Sequence, residues 1–214
     1  MAAEPSYKTV ARLSLYRRVL LEVLREGKRH MYSHEIAKAA GVSAAQVRRD
    51  LMSVEPTGTP TTGYDIQDLT SSIARLLDDP AGQKVVLVGI GNLGRAVLAY
   101  LAGRRPNLSL AAAFDINPDR VDRVIHGCHC YRMEELPAFA RNNQIRLAIL
   151  TVPAAAAQEV ADTLVEAGVL GLVNFAPVAL HVPDYVYVEN LDVTTTLETV
   201  AFFARQSSLR NRRT

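Results

Sequence analysis

The spacing of hydrophobic residues changes near residue 80 of this 214-residue chain. Before that point, apolar side chains recur at the period of an amphipathic helix. The pattern predicts long helices over Tyr7–Arg25 and Asp65–Asp78, with two shorter helices between them. After that point, short apolar runs such as Leu147–Leu150 alternate with helical stretches such as 154–167. The alternation predicts a parallel sheet whose strands are joined by helices.

The two shorter helices have the spacing of a helix-turn-helix. The first is capped by Ser33 and stops at Gly41, and the second runs from Ser43 to about Ser53. Ser43 and Gln46 suit a capping box, in which each side chain satisfies an N–H group at the start of the helix. A short turn between two such helices is typical of DNA-binding domains. The turn-rich segment 56–64 stands where a winged helix carries its wing.

The charge distribution favours a nucleic-acid partner for this region. The net charge is only +2, yet residues 1–53 carry ten Lys and Arg against five Asp and Glu. A solvated basic face would explain a charge run alone, but here the turn, the cap and the polar face occur together. In the major groove, Gln can pair with adenine and Arg with guanine.

The second short helix presents Gln46, Arg48, Arg49 and Asp50 on its polar side, with Val47 and Leu51 expected in the core. The residues expected to contact DNA are Ser43, Ala45, Gln46, Arg48, Arg49, Thr59 and Thr61.

A glycine-rich motif follows the first predicted strand of the second region. The strand Val85–Val88 leads into Gly89-Ile90-Gly91-Asn92-Leu93-Gly94, and a helical pattern follows. In this spacing the first Gly allows a tight turn, the second lets a pyrophosphate approach the backbone, and the third lets helix and strand pack closely. The helix start offers free N–H groups to the phosphates. The motif predicts a dinucleotide-binding Rossmann domain, with a Rossmann-like domain that binds no nucleotide as the alternative.

Asp115, which ends the next apolar strand, indicates which dinucleotide binds. A carboxylate there can accept hydrogen bonds from both hydroxyls of the adenosine ribose and repels a 2′-phosphate. Because Ile116-Asn117 supplies no arginine, the sequence predicts NAD(H) rather than NADP(H). Other strand ends complete the site, since ligands bind beyond the carboxyl ends of parallel strands. The residues expected there are Gly89, Ile90, Gly91, Asn92, Leu93, Gly94, Asp115, Ile116, Thr151, Val152, Pro153, Asn174, Phe175, Ala176 and Pro177.

Composition excludes several other classes. Hydrophobic residues make up 49% and charged residues 21%, which is typical of a globular protein, and no apolar run is long enough to span a membrane. With two cysteines and no export signal, we expect the cytoplasm. The cluster His126–Cys130 is too dense for one tetrahedral metal ion, so we expect no metal site; buried cysteines are favoured over a peroxide-sensitive thiol. No acid–base constellation stands beside the cofactor site, so no catalytic residue is assigned.

The chain resembles the Rex family of redox-sensing bacterial repressors over nearly its full length. The stretches that carry the resemblance are Gln46–Leu51, Gly89–Gly94, Phe114-Asp115, Thr151–Pro153, Asn174–Pro177 and Val188–Asp192. The resemblance implies an α/β protein with an N-terminal winged helix, a Rossmann domain and a last helix swapped into the partner of a homodimer. We place these parts at 1–80, 81–190 and 191–214. It also implies that NAD⁺ permits binding to double-stranded operator DNA and that NADH causes release.

The same resemblance suggests which residues transmit the signal. Tyr100 would lie near the nicotinamide, Asp192 at the subunit interface, and Arg18 on the first helix as the interdomain partner of Asp192. The wing departs from the family pattern, because Gly58-Thr59-Pro60-Thr61 lacks the usual wing arginine. Operator sequence or affinity is therefore expected to differ from that of typical members.

Two other classes remain as alternatives. One is an NAD-dependent oxidoreductase with an N-terminal interaction domain. The other is a CoA-binding Rossmann module, which Asp115 disfavours because CoA carries a ribose phosphate.

Overall fold

A computed structural model describes residues 5–54, 58–59, 63–102 and 107–211, with the side chains of 58–59 and 208–211 left out of the description. The chain divides into two units, Met1–Pro80 and Ala81–Thr214, each with its own internal packing.

The first unit is a helical domain with a small antiparallel sheet. Its three strands are ordered β1-β3-β2. β3 pairs with β1 through Met31↔Tyr64 and with β2 through Gly58↔Tyr64, so one strand joins the wing to the helices. This is the arrangement of a winged helix. The elements are α1 (Tyr7–Arg25), β1 (His30–Met31), α2 (Ser33–Ala40), α3 (Ala44–Leu51), a 3-10 turn (Met52–Val54), β2 (Gly58–Thr59), β3 (Gly63–Asp65) and α4 (Ile66–Leu77).

The apolar stripes of the helices meet in one core. The predicted core residues of α3, Val47 and Leu51, are both fully buried. They pack in one cluster with α1 and α4, whose stripes supply residues such as Leu20 and Ile73. Burying these side chains removes apolar surface from water and holds α3 in a fixed position on the domain.

The second unit contains a seven-stranded sheet in the order β10-β9-β8-β4-β5-β7-β6. Every strand pair is parallel except the β6–β7 hairpin. The chain winds from β4 to β5 and β7 on one side and then crosses through α6 to β8 on the other side of β4. The direction of winding therefore reverses between β4 and β8, which is where Rossmann folds bind ligands. The elements are β4 (Gln83–Val88), α5 (Asn92–Leu101), β5 (Leu108–Asp115), β6 (Arg123–Ile125), β7 (Cys128–Arg132), a 3-10 turn (Met133–Glu135), α6 (Leu136–Asn142), β8 (Leu147–Leu150), α7 (Ala154–Glu166), β9 (Gly171–Asn174), β10 (Tyr187–Asn190) and α8 (Val193–Asn211).

The two faces of this sheet are covered unequally. One face packs against α6 and α7, through side chains such as Leu136 and Leu164. The other packs against α5 through Leu98. Beyond α5, toward β9 and β10, this second face forms an apolar groove of about 670 Å³ lined by residues such as Leu147 and Val173. Part of the sheet therefore keeps hydrophobic surface accessible.

Several boundaries differ from the sequence expectation. The β6–β7 hairpin and α6 were not predicted. The N-cap residue of α2 is Tyr32 rather than Ser33, with its N–H donating to Glu35 Oε2, and α8 begins at Val193 rather than Leu191. Among the helices in the described part of the chain, none combines the length and hydrophobicity needed to cross a bilayer.

Candidate nucleotide site and nucleic-acid interface

The glycine-rich loop lies between β4 and α5, and its three glycines differ in what their missing side chains would meet. Gly89 has a φ of +92°, and a Cβ there would lie 2.8 Å from the Thr151 carbonyl oxygen. A Cβ on Gly94 would lie within 2.1 Å of the Gly89 oxygen. A Cβ on Gly91 would meet nothing within 4 Å. Gly89 and Gly94 are thus required by the fold, whereas Gly91 leaves open space beside the backbone.

The start of α5 faces that open space. Asn92 and Leu93 are exposed, and the helix has no side-chain cap and no acidic residue in its first turn. The N–H groups of a helix start carry partial positive charge and are unpaired within the helix. The loop and helix start therefore form a site suited to a phosphate group.

Asp115, at the end of β5, is 5% exposed and closely held. Its Oδ2 accepts from the Ile90 N–H at 2.5 Å, and its Oδ1 accepts from the Asn117 N–H at 2.8 Å. Burial by itself raises the pKa of this carboxyl, but these N–H donors and Arg120 outweigh it and lower the pKa below the usual value. The charged carboxylate ties the glycine loop to the end of β5.

One expectation about Asp115 was incomplete. The two residues that follow it supply no arginine, yet Arg120 Nη1 lies 3.0 Å from Asp115 Oδ2. A turn after β5 brings Arg120 back, since its N–H donates to the Asn117 carbonyl. The two residues next to Asp115 could not reveal this arginine, because Arg120 stands five residues further along the chain.

Thr151 and Asn174 hold the site together from the neighbouring strand ends. The Thr151 hydroxyl donates to the Gly89 carbonyl at 2.6 Å, which links the end of β8 to the glycine loop. Asn174 is fully buried, donates to the Val178 carbonyl at 2.8 Å and accepts from the Ala176 N–H at 3.0 Å. Both side chains therefore hold the backbone of the loops that form the site through hydrogen bonds.

The remaining predicted cofactor residues fall into two groups. Tyr100 and Phe175 both line the apolar groove on the sheet face. Val152 packs beside Gly89, while Pro153 and Pro177 are exposed and Ala176 is buried. Ile116 is 85% exposed beside Asp115, where an adenine could lie. The structure thus brings the loop, Asp115 and Thr151 together, with Tyr100 and Phe175 in the groove.

In the first unit, α3 presents two arginines to solvent. Arg48 and Arg49 are exposed, as are Ser43 and Ala45 at the start of the helix. The Ser43 hydroxyl caps α3 by accepting from the Gln46 N–H at 3.1 Å. Arg48 Nη1 donates to Ser33 Oγ at 3.0 Å, which holds one arginine against the start of α2. This face has the charge and geometry that DNA recognition requires.

Two residues of α3 behave differently from the expectation. The Gln46 amide does not complete a capping box; its Nε2 donates to Asp50 Oδ1 at 2.9 Å. Asp50 was expected on the polar face but is 2% exposed. Its Oδ1 and Oδ2 accept from Arg12 Nη2 and Nε at 2.7 and 2.6 Å, and Oδ2 accepts from Tyr16 Oη at 2.8 Å. The buried carboxylate therefore locks α3 onto α1.

These Asp50 partners were missed by sequence reasoning, although a signal existed. Arg12 and Tyr16 are four residues apart on α1 and so share one face of that helix. Burial raises the pKa of Asp50, but the hydrogen bonds from Arg12, Tyr16 and Gln46 lower it further than burial raises it. Asp50 therefore stays charged inside the domain.

Four other residues were predicted to belong to the sites: Thr59, Thr61, Arg18 and Asp192. Thr59 belongs to β2, but its side chain is not described, and Thr61 lies outside the described residues. Arg18 is exposed on α1. Asp192 caps α8 by accepting from the Thr194 and Thr195 N–H groups at 2.8 and 3.2 Å.

The two cysteines of β7 are buried and unpaired by any disulfide. Burial raises the pKa of Cys130 to about 11 and raises that of Cys128 as well. Thiols held in the protonated form react slowly with peroxide, so their environment argues against a redox-sensing role. Within the described ranges, no group of His, Cys, Asp or Glu could hold a metal ion.

A winged helix with an exposed basic recognition helix, joined to a Rossmann unit with a dinucleotide-type loop, defines the class of two-domain, ligand-responsive transcription regulators. Comparison with known proteins agrees with this class. Residues 6–51 match the family model described as "Putative DNA-binding protein N-terminus", and residues 81–178 match the model of the CoA binding domain.

Curated relatives extend the similarity to most of the chain. The redox-sensing transcriptional repressor Rex of Lactobacillus acidophilus is 41% identical over 91% of this chain and 92% of its own length. The Rex protein of Desulfitobacterium hafniense is 38% identical over 91% and 92%. The chain therefore belongs to the Rex family of redox-sensing transcriptional repressors.

Solved structures show the same similarity. The crystal structure of RSP, a Rex-family repressor, has a TM-score of 0.83 and 30% identity, covering 98% of both chains. RSP in complex with β-NAD⁺ and operator DNA has a TM-score of 0.87 and 31% identity, covering 98% of this chain and 97% of that one. RSP in complex with β-NADH has a TM-score of 0.84.

Proposed function

We propose that this protein is a transcriptional repressor that senses the ratio of NADH to NAD⁺: it binds operator DNA without cofactor or with NAD⁺ and is released by NADH. The observation that carries the proposal is the presence, in one chain, of an exposed arginine pair on α3 and an open glycine loop at the start of α5. RSP, which matches this chain over nearly its whole length, was crystallised with β-NADH and, separately, with β-NAD⁺ and operator DNA.

The residues of the Rossmann unit suit the parts of NAD(H). Gly91 and the start of α5 would hold the pyrophosphate, and Asp115 would hold the adenosine ribose. Val152, Pro153 and Phe175, together with Tyr100, would receive the nicotinamide. An apolar surface there favours the neutral ring of NADH over the cationic ring of NAD⁺, because it avoids desolvating a charge. Because NADH and NAD⁺ then bind with different affinities, the redox state can shift the protein between its DNA-binding and its released state.

Operator recognition uses α3 and the wing. Arg48 and Arg49 bind phosphates or guanine edges, and Gln46 faces the bases with its amide oriented by Asp50. Ser43 and Ala45 approach the backbone at the helix start, and Thr59 and Thr61 contact DNA from the wing. Because the wing lacks an arginine, less of the affinity comes from the minor groove than from α3.

The protein acts as a homodimer in which α8 covers the Rossmann unit of the partner. Four large hydrophobic side chains of α8 are 58–68% exposed: Leu197, Val200, Phe202 and Phe203. The groove of about 670 Å³ beyond α5 is apolar and open. A helix with an exposed apolar surface is complementary to the part of the sheet face that α5 leaves uncovered, and a symmetric exchange satisfies both copies at once.

Redox coupling passes through Arg18 and Asp192 at this dimer. If the two form an ion pair only in the released state, Arg18→Ala raises operator affinity with NADH bound and changes little with NAD⁺ bound. The expected coupling is about 1–3 kcal/mol, the common allosteric range. Operator titrations at fixed NADH and fixed NAD⁺ test this, and an equal loss of affinity under both would mean that Arg18 contacts DNA.

The protein is a sensor rather than an enzyme, and we assign it to the cytoplasm, where the NADH pool and the DNA meet. Its relatives are named as repressors, which disfavours the NAD-dependent oxidoreductase. The match to a CoA binding domain reflects the shared Rossmann fold, because RSP was crystallised with NAD⁺ and with NADH.

A DNA-shift assay on the upstream region of the protein's own gene tests the function. NADH and NAD⁺ are titrated separately against the shifted complex. The proposal expects release by NADH at concentrations where NAD⁺ has no effect. Turnover of NADH with candidate substrates, without an effect on DNA, would instead favour the oxidoreductase.

A further inference from the structure

Arg120 lies beside Asp115, the carboxylate that would hold the adenosine ribose. Its Nη1 lies 3.0 Å from Asp115 Oδ2, the carboxylate oxygen beside the Ile90 N–H. Two backbone features hold it there. The Arg120 N–H donates to the Asn117 carbonyl at 3.0 Å, and the next residue, Val121, is 6% exposed. These contacts fix the backbone from which the Arg120 side chain extends toward Asp115.

The two carboxylate oxygens of Asp115 differ in how many further hydrogen bonds they can accept from a ribose. Oδ2 already accepts from two donors, Ile90 N–H and Arg120 Nη1, while Oδ1 accepts from one, the Asn117 N–H. A carboxylate oxygen has about two acceptor sites. Oδ1 can therefore take a ribose hydroxyl directly, whereas a second hydroxyl at Oδ2 must displace or share with Arg120.

A phosphate on the 2′-oxygen changes this balance of charges. Asp115 alone repels the phosphate, and this repulsion is the usual basis of NAD selectivity. Arg120 places a compensating positive charge beside the same carboxylate. The guanidinium has five N–H donors and is 34% exposed, so donors not directed at Asp115 can bind a phosphate oxygen.

We infer that Arg120 is the specificity-determining residue of the ribose site, and that it gives this protein measurable affinity for NADP(H) despite Asp115. The inference rests on the proposed function, because it assumes that the adenosine ribose lies at Asp115. NADPH binds more weakly than NADH, and Arg120 sets how large the difference is. The redox response is thereby open to the NADPH pool when that pool is large.

The test compares NADH and NADPH binding by calorimetry in wild type, Arg120→Ala, Arg120→Lys and Arg123→Ala. Arg123 is exposed on β6, so Arg123→Ala is a control that removes the same charge from a nearby position. We expect Arg120→Ala to weaken NADPH binding about tenfold, the usual effect of losing a charged hydrogen bond, and to leave NADH binding within about twofold. Arg120→Lys should be intermediate, and Arg123→Ala should match wild type.

The possible outcomes separate this inference from the proposed function. NADH binding with an unchanged ratio of NADPH to NADH affinity in Arg120→Ala would overturn the role of Arg120 and leave the redox sensor intact. No wild-type binding of NADPH at a hundredfold excess over the NADH dissociation constant would also overturn it. Failure of wild type to bind either nucleotide would instead contradict the proposed function.

Discussion

The two units differ in how fully each covers its own hydrophobic surface. In the first unit, the apolar stripes of α1, α3 and α4 meet in one core, and the ion pair between Arg12 and the buried Asp50 fixes α3. In the second unit, one sheet face retains an apolar groove beyond α5 and α8 displays its hydrophobic residues. The DNA-reading unit therefore completes its core within one chain, whereas the Rossmann unit leaves apolar surface that the proposed homodimer would bury.

The largest expected effect concerns α8. Replacing Phe203 by Asp places a charge in the proposed interface, where it would be buried without a partner, so the dimer should dissociate at micromolar concentration. Sedimentation velocity measures this directly, and truncation before Leu191 should give the same result. The control is Gln206→Asp on the same helix. A Phe203→Asp protein that remains dimeric would show that α8 is not the main interface.

The next effect concerns the first unit alone. Asp50→Ala leaves Arg12 and Tyr16 without their buried partner, and loss of one member of such a pair costs about 3–5 kcal/mol. Urea unfolding should show the loss, with Glu22→Ala as an exposed control on α1. NADH binding should persist, since its residues belong to the other unit. An equally stable Asp50→Ala protein would contradict the ion-pair lock.

Acid should remove the same stabilisation. The pKa of Asp50 is lowered in the folded protein, so its contribution is present above the unfolded value of about 3.9 and is lost as pH falls through the folded value. Wild type should therefore lose its stability advantage over Asp50→Asn as the pH drops below about 4. A constant difference between the two proteins across that range would show that the carboxylate charge is not what stabilises the unit.

A smaller effect is expected at the DNA face. Replacing both Arg48 and Arg49 by Ala should weaken operator binding about a hundredfold and reduce its dependence on salt, because fewer counterions are released. NADH affinity should not change. Fluorescence anisotropy with labelled operator measures both affinity and salt slope. Lys38→Ala on α2 is a control for charge, and an unchanged slope in the double variant would contradict the helix-turn-helix assignment.

The smallest effect is at the ribose site. Asp115→Ala removes the acceptor for the adenosine ribose and the anchor of Ile90, so NADH binding should weaken about tenfold. Discrimination against NADPH should decrease as well, because Arg120 then faces the phosphate unopposed. Calorimetry with both nucleotides tests this. Equal losses for NADH and NADPH would mean that Asp115 only supports the loop.

Much of this architecture could be predicted because strong periodic patterns dominate it. α1 begins and ends where the apolar spacing does, and β8 matches the run Leu147–Leu150. The β6–β7 hairpin was missed because polar and apolar residues are mixed over 123–132. α6 was missed because it is only seven residues long.

The candidate sites, too, could be predicted where neighbouring residues along the chain determine the structure, but not where contacts between distant residues do. The glycine loop follows from local spacing, since the fold itself demands Gly89 and Gly94. The burial of Asp50 follows in part as well, because Asp50 stands three residues after the buried Val47 and so shares its helix face. The partner of its charge does not follow from local spacing, because Arg12 lies on another helix, 38 residues away in sequence.

The central claim is that the redox ratio, rather than the amount of cofactor, controls DNA binding. The most direct measurement is anisotropy of labelled operator with wild-type protein at a constant total of NADH plus NAD⁺, as the NADH fraction is varied. Control by the ratio predicts progressive release as the NADH fraction rises, and little change when a total that saturates the site is varied at a fixed fraction. Operator affinity that is the same at every fraction, or that follows the total alone, would contradict it.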